Sequence, residues 1–247
     1  AFDFLNKPID HNDLDITIRK TLAEVKRLKE TATTQNENLL LKQKASELEM
    51  QSLRAQMNPH FIFNSLNSIN NFILKNDRQQ ASEYLTKFSK LIRLILQNSQ
   101  ASLISLESEL ESLELYLDLE ALRFEDLFVY KISYPGDLDI EVLKVPPLVI
   151  QPFAENAIWH GLMHKEEKGQ LAIEIFQEND YLFFRITDNG IGRKKAAEME
   201  SKSATKHKSM GLQITAERIA MLQNTKENEA VVINDLVSSD GSAAGTE

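Results

Sequence analysis

The stretch Arg54 to Ile69, RAQMNPHFIFNSLNSI, sets a proline and a histidine side by side inside what otherwise reads as an amphipathic helix. Pro59 has no backbone N–H to donate and crowds the carbonyl four residues back, which costs about 3 kcal/mol in a continuous helix. Either a helix starts there, capped by Asn58, or a helix kinks there. In both cases His60 stands at a break from which it can point outward. An imidazole of ordinary pKa, about 6.5, is mostly uncharged at neutral pH, so His60 can act as a base, a metal ligand or a nucleophile. Asn64 lies four residues on, on the same helical face, where an amide can orient a water or an oxyanion beside the ring.

Working outward, Phe61 to Lys75 carries Ile62, Leu66, Ile69 and Ile73 on one stripe, and Gln79 to Gln97 carries Leu85, Phe88, Ile92 and Ile95. Asn76 and Asp77 turn the chain between them, Asp77 being a good N-cap. Such a helical hairpin leaves one apolar face uncovered, and two hairpins packed together make a four-helix bundle, so a homodimer is expected. From Ser105 the texture changes. SLESELESLELYLDLEALRF reads as a helix capped by Ser105, with Leu106, Leu110, Leu113 and Leu117 inward. FVYKISY, LAIEIFQ and YLFFRITD alternate like strands, with a helix near PFAENAIWHGLM between the first two. Two further helical stretches, the second being MGLQITAERIAMLQN, precede a strand-like AVVINDLV. This order predicts one sheet covered by helices on one face, an α+β sandwich.

Composition narrows the function. The chain has 247 residues, 42% of them hydrophobic, which suits a globular protein with a buried core. Its net charge of −9 comes from acidic residues spread along the chain, which argues against nucleic acid or an anionic membrane as partner. With 0 cysteines there is neither a disulfide framework nor a thiolate zinc site, and a cytoplasmic setting is expected. No apolar run is long enough to span a bilayer.

At the N-terminus, AFDFLNKPIDHNDLDITIRKTLAEVKRL begins in an apolar, strand-like run, passes Lys7 and Pro8, and then spaces Leu14, Ile18, Leu22 and Val25 as a helix does. Residues 1–28 resemble the last strand, Lys-Pro loop and last helix of a response-regulator receiver domain, with Lys7 in the place of that family's active-site lysine; an ordinary N-terminal helix with a frayed start is the alternative. Residues 29–57 follow as a linker. Leu41, Ala45, Leu48, Ser52 and Ala55, spaced alternately by four and three, suit a two-stranded coiled coil, against the alternative of a single solvated helix. At the other end, SSDGSAAGTE reads as a small-residue turn, and the last strand of the sheet is expected beyond it.

The segment LRAQMNPHFIFNSLNSI closely resembles the phosphoacceptor segment of LytS-type sensor histidine kinases, in which the Pro-His-Phe-x-Phe-Asn string carries the histidine that accepts the γ-phosphoryl group of ATP. VPPLVIQPFAENAIWHG resembles that family's N-box, DNGIG its G1 box and SMGLQITAERI its G2 box, in that order. The resemblance implies residues 58–104 as a dimerisation and phosphotransfer hairpin and residues 105–247 as a Bergerat-type α/β sandwich that binds ATP with Mg2+. It also implies a receiver domain of a response regulator as the partner that takes the phosphoryl group from His60.

Each motif has a physical job. Asn156 and His160 lie four apart on one helical face of ENAIWHG, and an amide oxygen suits Mg2+, which makes Asn156 the expected metal residue. Glu155 resembles the acidic neighbour that polarises an attacking group. A zinc pair at His160 and His164 is the competing reading, without the HExxH string or an obvious third ligand. In the family Asp188 accepts a hydrogen bond from the adenine amino group, while Gly190 and Gly192 let the backbone lie close to the nucleotide; an Asn-Gly hairpin is the plain alternative. Residues 193–209 hold Arg193, Lys194, Lys195, Lys202, Lys206 and Lys208, fitting a basic lid over phosphates. Ser209 and Gly211 then open a helix whose first amides can meet a phosphate oxygen.

Three departures stand out. Phe61 follows the histidine where common two-component kinases have an acidic residue. Trp159 stands where the family often has a lysine, which leaves phosphate contact to His160, Lys165 or the lid. Gly211 is alone where a fuller glycine cluster is usual. Two rivals follow: a non-catalytic dimeric scaffold, or a Bergerat-fold ATPase whose turnover ignores His60.

Overall fold

The computed structural model describes residues 18–29, 31, 35, 59–125, 127–179, 181–200, 210–223, 231–237 and 243–247. Two compact units divide the chain, Ala1–Met57 and Asn58–Glu247. In the first, residues 18–29 form helix α1, as expected, with Ile18, Leu22, Val25 and Leu28 exposed. Lys7 and the receiver-like strand, and nearly all of the expected coiled coil, lie outside the described residues.

The second unit opens with the hairpin. Helix α2 (Pro59–Leu74) begins on the proline, where the missing N–H goes unneeded, and Asn58 lies outside the described residues. Helix α3 (Arg78–Asn98) is capped by Asp77, whose carboxylate accepts from the Gln80 N–H at 3.0 Å. Asn76 takes the left-handed conformation (φ 58°) that closes the turn. Phe61, Ser65 and Phe72 of α2 are buried, as are Ala81, Tyr84, Leu91 and Ile95 of α3; Phe72 meets Tyr84 at 5.8 Å, Phe61 meets Phe88 at 6.2 Å, and the Tyr84 hydroxyl donates to Ser65 at 3.3 Å. Of the predicted stripe, Ile95 is buried and Phe88 meets Phe61, while the rest of the buried set differs. Leu66 and Ile73, with Phe63 and Leu74, face outward on α2, and Leu85 and Leu96 do so on α3. Sequence spacing marks two adjacent apolar faces, and within one chain only the aromatic one is covered.

Helix α4 (Leu106–Arg123) is capped by Ser105, and all four predicted inward leucines are buried. It runs antiparallel to α3, tied by Lys87 to Asp118 (2.8 Å), Lys90 to Glu111 (2.6 Å) and the Ser108 hydroxyl to Asn98 (3.1 Å). Strands β1 (Ile104–Ser105) and β3 (Lys144–Val145) form a small antiparallel pair.

The main sheet has five strands in the order β2-β4-β5-β7-β6: β2 (Phe128–Ser133), β4 (Gly169–Glu178), β5 (Tyr181–Asp188), β7 (Ala243–Thr246) and β6 (Asp235–Val237). Among the described strands only β2 and β4 run parallel, which requires the helical crossover between them. Leu171, Ile173 and Ile175 alternate inward along β4 and are at most 2% exposed. On the other face Phe176 and Phe183 stack at 5.4 Å. The mixed α+β architecture is thus as expected, with a correction at its end. SSDGSAAGTE is not a turn throughout: residues 243–246 form the strand between β5 and β6, Thr246 pairing with Asp188. Among the described residues of AVVINDLV, the strand covers Asp235–Val237, and Asn234 just before it bonds reciprocally with Glu247.

The helix predicted near PFAENAIWHGLM has three parts. Helix α5 (Gln151–Asn156) passes into a π-helical turn (Ala157–Gly161) and a 3-10 turn (Leu162–His164). Gly161 explains the tight seat of this segment against β5. A Cβ there would lie 2.8 Å from Asp188 Oδ1, and one on Gly190 would lie 2.5 Å from the Gly161 backbone. Gly190→Ala is therefore expected to cost about 1–3 kcal/mol of stability, read as a lower thermal midpoint. Gly136→Ala, whose Cβ meets nothing within 4 Å, is expected to leave the midpoint unchanged.

Candidate active site

His60 is exposed on the first turn of α2, and its ring is approached by the Asn64 carboxamide nitrogen at 3.0 Å from Nδ1 and 3.2 Å from Nε2. An amide N–H there can donate to whichever ring nitrogen carries the lone pair. The expected pair at i, i+4 is therefore in contact. The other side of the imidazole meets Trp159, ring centroids 5.2 Å apart and tilted by 56°.

The surroundings of Trp159 come from α4. Arg123 holds its guanidinium 4.7 Å from the indole centroid and 4.6 Å from that of Phe124, and Phe124 meets the indole edge-on at 5.5 Å. The indole N–H donates to the Tyr116 hydroxyl, and Tyr116 packs on Phe61 at 5.2 Å. Phe61 is thus a buried anchor, 7% exposed, which accounts for an apolar residue directly after the histidine. Four rings, Phe61, Tyr116, Trp159 and His60, close the start of α2 onto the π turn.

Beneath them lies Glu120, fully buried. One carboxyl oxygen accepts from Arg123 at 3.3 Å, and the other has no hydrogen-bond partner. Burial, opposed by Arg123 and aided by Glu155, pushes its pKa up to about 7. Tyr116 is pushed upward as well, chiefly by burial and then by Glu120 and Glu155.

A second buried carboxylate positions α5. Glu109 of α4 accepts from the N–H groups of Leu148 (2.8 Å) and Ile150 (3.1 Å), holding the loop before α5 with Leu148 left-handed at φ 57°. Its pKa is also raised to about 7, by burial against the opposing backbone bonds and Arg218.

Glu155 and Asn156 end α5, half-buried, and His160 is half-buried in the π turn. The π winding inserts a residue into this turn, so the single α-helical face expected to carry both Asn156 and His160 is interrupted. The same winding removes the α spacing that a zinc pair at His160 and His164 would use. Among the described residues no group of three His, Cys, Asp or Glu is arranged to hold a metal ion. Asn156 and Glu155 offer hard oxygens, a donor set that suits Mg2+ arriving on phosphates and taking one or two protein ligands. Lys165 lies past the 3-10 turn, and its side chain makes no hydrogen bond or ion pair among the described residues.

Asp188 ends β5, buried, accepting from the Gly190 N–H at 2.8 Å and from Thr246. Burial raises its pKa. Gly190 and Gly192 have reasons inside the protein: the first meets the Gly161 backbone, and the second is left-handed at φ 75°. Helix α6 (Arg193–Glu200) starts the expected lid, and Arg193 is committed to a two-pronged ion pair with Asp235 at 2.7 and 3.0 Å. The remaining lid lysines at 202, 206 and 208, with Ser209, lie outside the described residues. Gly211 is in the first turn of helix α7 (Met210–Gln223).

Tyr116, Glu120, Arg123, Gly161 and Thr246 carried no separate signal in the sequence reading. Tyr116 follows Leu113 by three residues on the inward stripe, and Thr246 sits in the tail read as a turn.

Residues 48–128 match the histidine kinase family. The chain is 37% identical over 146 residues to the sensor protein LytS of Staphylococcus haemolyticus, covering 59% of this chain and 24% of that protein. LytS of Oceanobacillus iheyensis is 37% identical over 153 residues (62% and 26%), and LytS of Bacillus subtilis 33% over 146 residues (59% and 24%). The chain thus spans about a quarter of the length of these relatives. A solved complex of histidine kinase ThkA with response regulator TrrA overlaps at a TM-score of 0.36 and 13% identity, covering 78% of this chain and 59% of that one, too loosely to define a shared fold. The histidine kinase likeness lies over the hairpin and helix α4, residues 48–128. The similarity to the LytS sensor proteins covers well over half of the chain.

A raised carboxyl pKa means that the neutral form is favoured by folding. The stability so gained is full below the ordinary value of 4.5 and is lost as pH rises through about 7. The thermal midpoint is expected to fall between about pH 5 and about pH 8, and Glu120→Gln to flatten that slope, leaving the share of Glu109. Calorimetry across this range checks it.

Proposed function

We propose that this chain is the dimeric catalytic core of a two-component histidine kinase that phosphorylates His60 from ATP and passes the phosphoryl group to an aspartate of a receiver domain. The observation that carries this reading is the placement of His60. It is an exposed imidazole at the head of a helix, paired with Asn64 and lying against the turn that follows Asn156. The LytS relatives support the same reading.

A lone pair of neutral His60 attacks the γ-phosphorus and an N–P bond forms. The bond to the β,γ-bridging oxygen breaks, ADP leaves with its electron pair, and the proton on the other ring nitrogen passes to solvent. Asn156, with Glu155 at hand, would hold Mg2+, which would supply charge neutralisation on the phosphates. Asp188 receives the adenine amino group in the Bergerat-type domain, with Thr246 fixing its carboxylate. The protein's contribution is positioning and preorganised charge.

The dimer rests on the outward set Phe63, Leu66, Ile73 and Leu74 of α2 with Leu85 and Leu96 of α3, between 49% and 76% exposed. A two-fold operator doubles that set, and each such side chain contributes about 1.5–3 kcal/mol on full burial. Leu66→Glu with Leu85→Glu is expected to yield monomers in analytical ultracentrifugation, with helix content retained.

For the chemistry, γ-labelled ATP with Mg2+ is expected to give acid-labile, base-stable label that is absent from His60→Gln and Asn156→Ala. Asp188→Asn is expected to weaken nucleotide binding by roughly tenfold or more, the size of one or two lost polar contacts, as followed with a fluorescent ATP analogue. A folded chain that binds ATP and remains unlabelled would favour a scaffold instead.

A further inference from the structure

Trp159 occupies the position where the resemblance led us to expect a phosphate-contacting lysine, and the structure gives it an unusual amount of support. Its ring is held on one edge by Phe124, approached by the Arg123 guanidinium, and bonded through its N–H to Tyr116. Arg123 is in turn fixed by buried Glu120, so its side chain is only 15% exposed despite its charge. What this assembly presents outward is an aromatic platform, and the His60 ring of the same chain rests on it at 5.2 Å. Phe61, one residue on, pins the start of α2 to Tyr116 from the other side. Three residues before the platform stands Asn156, on the same continuous helical segment.

Resting on the kinase reading above, we propose that Trp159 is a positioning residue. It seats the His60 imidazole of its own chain on the turn that follows Asn156, so that phosphoryl transfer occurs within one chain. An aromatic platform does for the acceptor ring what a flexible lysine could not, since it fixes the plane of the imidazole without placing a second cation beside it.

Trp159 is the single tryptophan, so its emission reports the contact directly. A protonated imidazole against an indole quenches its fluorescence. Lowering the pH through the histidine range is therefore expected to dim the wild-type protein by a step that His60→Gln lacks. Subtracting that variant removes the responses of Glu120, Glu155, Arg123, Tyr116 and the neighbouring His160, which also surround the indole. Absence of the His60-dependent step would overturn the contact.

The positioning role is read in transfer kinetics. Trp159→Ala is expected to lower the autophosphorylation rate at saturating ATP by about a hundredfold, the scale of a misplaced reacting group, with little change in the KM for ATP. Trp159→Phe, which keeps a ring and loses the bond to Tyr116, is expected to recover most of the rate. A raised KM with an unchanged maximal rate would instead assign Trp159 to nucleotide binding and sink the proposal. Co-expressed His60→Gln and Asn156→Ala chains carrying different tags read the geometry without touching Trp159. No label on either chain is expected, whereas label on the Asn156→Ala chain would mean transfer between chains. Unlabelled wild type would defeat the kinase reading itself, and this proposal with it, while label between chains defeats the proposal alone.

Discussion

The second unit is organised around one close approach, where the end of the π turn meets the turn after β5. Gly161 and Gly190 come together with no room for a Cβ on either, and the Ile191 N–H donates to the Gly161 carbonyl at 3.2 Å. Asp188 lies in the same contact, its carboxylate occupied by the Gly190 N–H and by Thr246. Because backbone meets backbone, the helical segment and the sheet have one relative placement. Everything that this segment carries inherits it: Glu155 and Asn156 before the contact, Trp159 within it, and through Trp159 the ring of His60.

The π winding follows from the same constraint. The segment leaves the Glu109-held loop as an ordinary helix and must deliver Gly161 to β5. An inserted residue absorbs the difference in register, and such insertions recur at functional sites. A sequence read at a fixed period of 3.6 has no means of finding one. Nor could it pair Glu109 with Leu148 and Ile150, which lie 39 and 41 residues away. Long-range clamps have no local pattern.

Much else was legible. Asp77 and Ser105 announced their helices because a short polar side chain before an apolar run has a local job, bonding a free N–H. The leucines of α4 and the alternation in β4 were read correctly because each element buries one face. The hairpin helices were placed to within two residues at each end and Ile95 was read correctly, but most of the buried stripe was assigned one position away, since Phe61, Phe72 and Tyr84 flank the aliphatic stripe rather than forming it. At the site, the contact of His60 with Asn64 followed from spacing, while the choice of His60 as the reacting residue and of Asp188 with its glycines came from the family resemblance. The glycines' internal packing, and the platform beneath His60, depend on residues from α4 that no motif includes.

Helix α4 has a mechanical consequence. Glu109 near its first turn grips the loop that launches α5, and Glu120 with Arg123 in its last turn grips the Trp159 platform, about 17 Å of rigid rod between them at 1.5 Å per residue. The flank of the same rod is bonded to α3 at Lys87, Lys90 and Asn98. A twist or slide of α3 therefore cannot be taken up at one end alone. The rod passes it to both grips together, and the hairpin and the sheet domain share a common shaft instead of a swivel.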